Sequence, residues 1–328
     1  MNGKRKILKF TFNKALFGIW ILIFAAIALK NPSFLSAPYI INVMLRNIVE
    51  IAIVALPMTL IIITGGIDLS VGNIMVLAAM LGGISAPFLG AGGAIMITLF
   101  TGLVCGFVNG ILIAKIKISP MVATLATMFL FLGLGRGISK GGSIYSYGFS
   151  EFMGNTSIAG IPLQIWLFLL LAALFVVILS RSILGRALYG IGLNSDAVRY
   201  AGINTEKILI GIYTVCGLMC GLVAFIWLGR FTSIKYDAGI GFNMKVITIV
   251  VLGGTSINGG IGDMKGTILG TLIIATLNSG LTVLNIPIDI QTIVQGSVLI
   301  IALISYAIIN ERTKRKTVVK INEKEELI

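Results

Sequence analysis

The chain of 328 residues contains no histidine, which excludes His-based zinc sites, Ser-His-Asp triads and imidazole proton relays. Charge is scarce too. Only 11% of residues are Asp, Glu, Lys or Arg and 57% are hydrophobic, whereas a soluble domain carries about 25% charged residues. A water-soluble globule is thereby ruled out. Acidic residues are outnumbered 12 to 25 by Lys and Arg, for a net charge of +13. These cations lie at the ends and in loops between apolar runs, with no basic groove of interleaved aromatics, which excludes nucleic acid as a partner. The three cysteines, Cys105, Cys216 and Cys220, lie in apolar runs, and the last two lack C-x-x-C spacing. They read as small reduced hydrophobes. No G-x-x-x-x-G-K-[ST] pattern occurs, so any ATP is hydrolysed on a partner. No cofactor is implied, and the chain reads as a non-enzyme.

What remains is a series of apolar runs, and these predict an all-α polytopic membrane protein of about ten transmembrane helices. The spans are placed at Ala15 to Leu29, Ile48 to Thr64, Val71 to Leu89, Ala91 to Ala114, Met121 to Gly135 and Ile161 to Leu179. Four more follow at Ile208 to Leu228, Val246 to Ile257, Thr267 to Leu284 and Ile290 to Ile309. The first run could also be a signal peptide, since Ala26-Ile27-Ala28 resembles a cleavage site; the number of later spans favours an uncleaved helix. With both termini cytoplasmic, 18 of the 25 Lys and Arg fall on the inner side, as the positive-inside rule requires. Lys30, Arg46, Arg136, Lys140, Arg230, Lys235 and Lys245 are left outside. The chain thus divides into a basic cytoplasmic N-terminus (1–14), a permease-like membrane domain (15–309) and a charged cytoplasmic tail (310–328). Its main external loop is 136–160.

Between the sixth and seventh spans lies a polar segment, 180–207, SRSILGRALYGIGLNSDAVRYAGINTEK. Arg181, Arg186, Arg199 and Lys207 mark it as cytoplasmic. Asn194 suits a helix N-cap, Ser195 and Asp196 suit the positive end of its dipole, and Gly202 suits its close. A helix from Ser195 to Ala201 would be roughly 10 Å long and would carry Ala197, Tyr200 and Ala201 on one face. That face is either a docking surface or an amphipathic stripe on the membrane.

Several residues within the spans are unusual. Gly102-x-x-x-Gly106-x-x-x-Gly110, Gly217-x-x-x-Gly221 and Gly262-x-x-x-Gly266-x-x-x-Gly270 are small-residue stripes that let helix backbones approach closely in lipid. Two apolar runs are broken by glycine pairs, at Thr64-Gly65-Gly66-Ile67-Asp68-Leu69-Ser70-Val71-Gly72 and at Leu252-Gly253-Gly254-Thr255-Ser256-Ile257-Asn258-Gly259-Gly260. Broken helices at membrane depth are tolerated where protein or water satisfies the backbone. Asp68 is either a cap, accepting from the N–H of Ser70 or Val71, or a gate residue. Asn109 and Asn278, amides within spans, serve as interhelical hydrogen bonds or line a polar path. Glu50 lies one turn from Arg46, which an i, i+4 pair explains. The candidates for a translocation path or gate are therefore Asp68, Ser70, Asn109, Gly253, Gly254 and Asn278.

Three segments, Ile61 to Gly72 (IIITGGIDLSVG), Gly185 to Asn204 (GRALYGIGLNSDAVRYAGIN) and Val250 to Gly260 (VVLGGTSINGG), resemble the permease subunits of bacterial ATP-binding-cassette importers of the ribose, xylose, galactose, rhamnose and autoinducer-2 group. The resemblance spans nearly the whole chain. It implies a ten-helix permease of the bacterial inner membrane that pairs with a second permease subunit, identical or not, around a central path. It also implies a substrate-binding protein outside and a cytoplasmic ABC ATPase inside. The helix after Asn194 then corresponds to the coupling helix, to which Gly192, Asn194, Asp196, Ala197, Arg199 and Gly202 are assigned. The chain departs from the family pattern at Asn243-Met244-Lys245, where an acidic residue followed by Leu is common, and at Ile261, where a basic residue is common. The phrase Ala55-Leu56-Pro57-Met58-Thr59 is reminiscent of the rhamnose and autoinducer-2 branches. The rival readings are an ion-coupled secondary transporter or channel, which usually shows intramembrane ionisable sites, and an intramembrane enzyme, for which no catalytic constellation exists.

Overall fold

Long apolar helices dominate the computed structural model, which describes residues 2–298 together with 300 and 304. After α1 (Asn2–Lys30) come a 3-10 turn (Pro32–Leu35) and an extended Ser36, beyond which the three-residue α2 (Ala37–Tyr39) and a π-helical stretch (Ile40–Leu45) run without a break into α3 (Arg46–Ile63). The second apolar helix therefore reaches from Ala37 to Ile63, starting well before the expected Ile48. Next comes α4 (Val71–Ala114). It is two arms rather than one rod, because Gly90 at φ 65° and ψ −177° leaves the helical region, a conformation glycine adopts without a Cβ clash. The arms run antiparallel, with Gly82 against Thr98 near the bend and Ser70 against Asn109 at the far end.

The chain continues through α5 (Pro120–Ser139), β1 (Ser143–Tyr145), α6 (Glu151–Asn155), β2 (Ser157–Ile158), β3 (Ile161–Pro162) and α7 (Leu163–Arg181). It then forms α8 (Ile183–Leu193), α9 (Ser195–Tyr200), α10 (Thr205–Phe231), β4 (Ser233–Lys235), α11 (Phe242–Leu252) and α12 (Met264–Val283). Local chemistry sets several starts. Ser182 accepts from the N–H of Gly185 before α8, Asn204 accepts from that of Lys207 at the head of α10, and Pro120 occupies the first turn of α5, where a missing N–H costs nothing.

Seven helices among the described residues are long and apolar enough to cross a membrane, and α4, at 44 residues, supplies two of the expected spans. The expected span Val246 to Ile257 is not one: α11 has 11 residues, about half of what a bilayer requires. Residues 288–298 are helical; nine of the 20 residues of the expected span Ile290 to Ile309, and the tail, lie outside the described residues. The expectation of a purely helical chain also needs correcting. β1 pairs antiparallel with β4, Ile144 opposite Ile234, and β2 with β3. The two segments expected outside the membrane, 136–160 and 229–241, are thus joined, since backbone groups outside helices still need partners.

Small residues hold the centre together. A Cβ on Gly102 would strike Gly217 and Gly221, one on Gly106 would strike Tyr213 and Gly217, and one on Gly110 would strike Ile210. The second arm of α4 and α10 therefore run antiparallel in near backbone contact, which is how helices gain packing where lipid offers no hydrophobic drive. The third stripe meets α11 instead, with Gly266 against Gly253 and Gly270 against Ile249. Cys105, Cys216 and Cys220 are buried free thiols.

Candidate functional site

Both glycine breaks are real interruptions, and they meet each other. After α3 the chain leaves the helix at Gly65 (φ 83°) and re-enters one at Val71. Between them Asp68, completely buried, accepts from the Ser70 N–H at 2.9 Å and the Ser70 hydroxyl at 2.6 Å. The Asn109 amide, 41 residues away in sequence, donates to Ser70 Oγ at 2.8 Å and lies 3.4 Å from Asp68 Oδ2. Asp68, Ser70 and Asn109 therefore form one buried polar cluster that closes the end of the α4 hairpin. Thr124 Oγ1 adds a bond to the Ile67 carbonyl at 3.1 Å. Among the described residues, Asn109 Oδ1 and the Tyr213 hydroxyl are buried without a hydrogen-bond partner.

The second break runs from the end of α11 to the start of α12. Gly254, Gly259 and Gly260 have φ of 85°, 79° and 70°, and the Ser256 N–H donates to the Ile261 carbonyl at 2.9 Å to close the loop. Gly253 abuts Gly266, and Gly254 lies against the ring of Phe12. The Gly260 N–H donates to the Ile63 carbonyl at 2.8 Å, which links the second break to the last residue of α3. Thr59 and Thr267 hydroxyls share a bond of 2.8 Å just behind it.

The polar segment 180–207 seats on this junction. Gly192 lies so close that a Cβ there would strike both the Ile63 carbonyl and the Gly260 nitrogen, and the Tyr189 hydroxyl donates to the Gly262 carbonyl at 2.8 Å. Burial, reinforced by the nearby Asp263 carboxylate, pushes the Tyr189 phenol well above its ordinary range, so it donates at every ordinary pH. The Asn194 side chain caps α9 through the Ala197 N–H at 2.9 Å, and Gly202 at φ 82° closes it through the Arg199 carbonyl. Both were expected. Val198 leans on Gly190 of α8, leaving Asp196, Ala197, Arg199 and Tyr200 exposed, Tyr200 at 91%. Sequence reasoning missed α8 altogether, because its Arg186 and its glycines masked an amphipathic stripe of Ala187, Leu188 and Ile191 that is buried. A cavity of about 350 Å³ opens between this segment and the first break, lined by Thr64, Gly66, Lys117, Ser195 and Tyr213 among others.

Other candidates lie elsewhere. Asn278 accepts from Gln295 at 2.9 Å, away from both breaks, as interhelical glue. Glu50 does not ion-pair with Arg46. It pairs with Arg230 at 2.5 Å, which also reaches Asn47 at 2.7 Å, while Arg46 is drawn off by the Gly154 carbonyl at 2.5 Å. A second cavity of about 250 Å³ lies beside this pair, lined by Asn47, Trp227, Phe231 and Lys245 among others.

Seven helices among the described residues long and apolar enough to cross a membrane, two helix breaks that meet, and a polar elbow wedged against their junction fit a polytopic membrane permease. The comparisons name its family: residues 39–303 match the model for the permease component of the branched-chain amino acid transport system, and the chain belongs to that family. It is 38% identical over 292 residues to the Bacillus subtilis ribose import permease protein RbsC, covering 88% of this chain and 90% of the relative. It is 35% identical over 303 residues to the Escherichia coli K12 protein of that name, covering 89% and 92%. The autoinducer 2 import system permease protein LsrD of Photorhabdus laumondii is 35% identical over 306 residues, with 90% of each chain covered. No solved structure matches the chain. The protein is thus a multi-pass membrane transporter subunit.

Proposed function

We propose that this permease imports a monosaccharide or related small polar solute, such as ribose or autoinducer-2, by alternating access powered by ATP hydrolysis on a cytoplasmic ABC ATPase. In this reading the α8–α9 end and both termini face the cytoplasm and the strand-bearing end faces outward. Solute arrives from an extracytoplasmic binding protein and passes between this subunit and a second permease subunit. The basic residues of 1–14, 180–207 and 310–328 support that orientation, and the relatives named above support the solute class.

The observation that carries the proposal is the seat of Gly192. An ATPase that grips the exposed face of α9, with Asp196, Ala197 and Arg199, moves α8 with it, because Val198 packs on Gly190 and Asn194 is the only residue between the two helices. Gly192 stands against Ile63 and Gly260 at once, so the motion reaches the ends of α3 and of the second break together. Asp68, Ser70 and Asn109 hold the other side of the first break as a rigid unit, and Gly253 and Gly254 form the hinge of the second. These are the gate elements. Purification of the tagged chain from its native membrane tests the assignment: an ABC ATPase is expected to copurify, and Arg199→Glu to release it. Recovery of the chain alone under conditions that preserve membrane complexes contradicts the proposal.

A further inference from the structure

Lys245 was expected in an outer loop, but it lies in the first turn of α11, with its side chain exposed. Its place follows from the register of α11 against α12. Gly253 abuts Gly266 and Ile249 abuts Gly270, so four residues along one helix match four along the other, antiparallel. Lys245 is therefore level with Ile274, midway along the 20-residue α12, which is long enough to cross a bilayer. It also shares a cavity wall with Arg230 and Phe231 in the last turn of α10, and an ammonium group beside membrane-crossing helices is costly in lipid and is almost always turned to water or protein. Among the described residues no carboxylate lies within ion-pair distance of it.

The ammonium has somewhere to go. It lines the cavity of about 250 Å³ together with Asn47, Glu50, Trp227, Arg230 and Phe231. Glu50 and Arg230 neutralise one another, which leaves Lys245 as the uncompensated charge on that wall. Beside it Met244 and Ile240 are exposed at 53% and 73%.

From this placement we infer that the exposed face of α11 is the wet wall of the solute path and that Lys245 sets its charge selectivity, admitting neutral or anionic hydroxylated solutes and repelling cationic ones. Trp227 and Phe231 offer apolar faces to sugar C–H groups, and Asn47 and Lys245 offer donors to hydroxyl or acid oxygens. The inference rests on the import reading above and specifies where and by what the solute is screened.

Cysteine accessibility tests it in outward-oriented vesicles containing the assembled importer, with the unsubstituted chain as background, its three thiols being buried. Lys245→Cys is expected to react with a membrane-impermeant methanethiosulfonate at least tenfold faster than Leu170→Cys, which lies on an exposed apolar face of α7. Met244→Cys, which keeps the lysine, is expected to react several-fold faster with the sulfonate reagent than with the trimethylammonium reagent, and that preference is expected to vanish when Lys245→Met is added. Labelling no faster than at Leu170→Cys places the face in lipid. Disulfide formation between copies without labelling makes it a dry interface. Either result overturns the inference, as does equal reaction with both reagents. ATP-dependent uptake by the unsubstituted chain is measured in the same vesicles, so a failure of the wall is separable from a failure of the import reading.

Discussion

At the scale of single residues, the buried Glu50–Arg230 pair is a sensitive point. Glu50 is 2% exposed and its ion-pair partner among the described residues is 180 residues away. Removing either member strands the other, and such losses cost about 3–5 kcal/mol. Glu50→Ala and Arg230→Ala are expected each to lower the melting temperature in detergent strongly, with the double substitution costing less than the sum of the two. Asp68→Ala leaves the Ser70 N–H and hydroxyl without their buried acceptor and is expected to cost about 1–3 kcal/mol by the same assay. Gly192→Ala is expected to abolish solute uptake, since its Cβ would occupy the space of the Ile63 carbonyl. Gly211→Ala, where nothing lies within 4 Å, is expected to leave uptake unchanged.

Of these partnerships only the bond from the Ser70 N–H to Asp68 was legible along the chain, as the expected cap; the long-range ones were not. Asp68 was marked by its glycine neighbours and Asn109 by its apolar ones, but their meeting depends on the α4 bend at Gly90, which folds two arms onto one another. The pairing of Glu50 with Arg46 fitted helix spacing and failed because Arg46 finds a carbonyl on α6 and Arg230 arrives from α10. Helix periodicity describes neighbours on one element. It carries no information about which element comes alongside.

At the scale of elements, the glycine stripes were legible because their meaning is local: a helix face without side chains must abut a backbone, and α4 and α10 do so. Gly106→Val is expected to separate these helices and to lower the yield of folded protein and its melting temperature, overpacking of this kind costing about 1–3 kcal/mol. The equivalent change at Gly133, where space is open, is expected to have little effect. The α9 cap and its glycine stop were legible for the same reason. By contrast, α11 was mistaken for a full span because its apolar run continues into the break, and the hydropathy of VVLGGTSI does not record that Gly253 and Gly254 end the helix. For α9, substitutions at Asp196 and Arg199 fall on exposed side chains, where stability changes stay within about 0.5 kcal/mol. Bulky residues there are expected to abolish uptake while leaving melting temperature and membrane level unchanged.

At the scale of the whole molecule, two interrupted helices and one polar elbow share a single junction of Ile63, Gly192 and Gly260. Bundles that only pack need no such meeting point, because each backbone group can be satisfied within its own helix. Here the Gly260 N–H is satisfied by Ile63 across the bundle, so displacement of α8 cannot leave either break unmoved. The membrane subunit is in this account a conduit with no energy source of its own.

The most direct measurement is solute flux in proteoliposomes containing this chain, its copurifying ATPase and the cognate binding protein. The account predicts accumulation of the sugar against its gradient only when ATP is present on the ATPase side, lost with Arg199→Glu. Concentrative uptake driven by a proton or sodium gradient through the chain alone, without nucleotide, would contradict it.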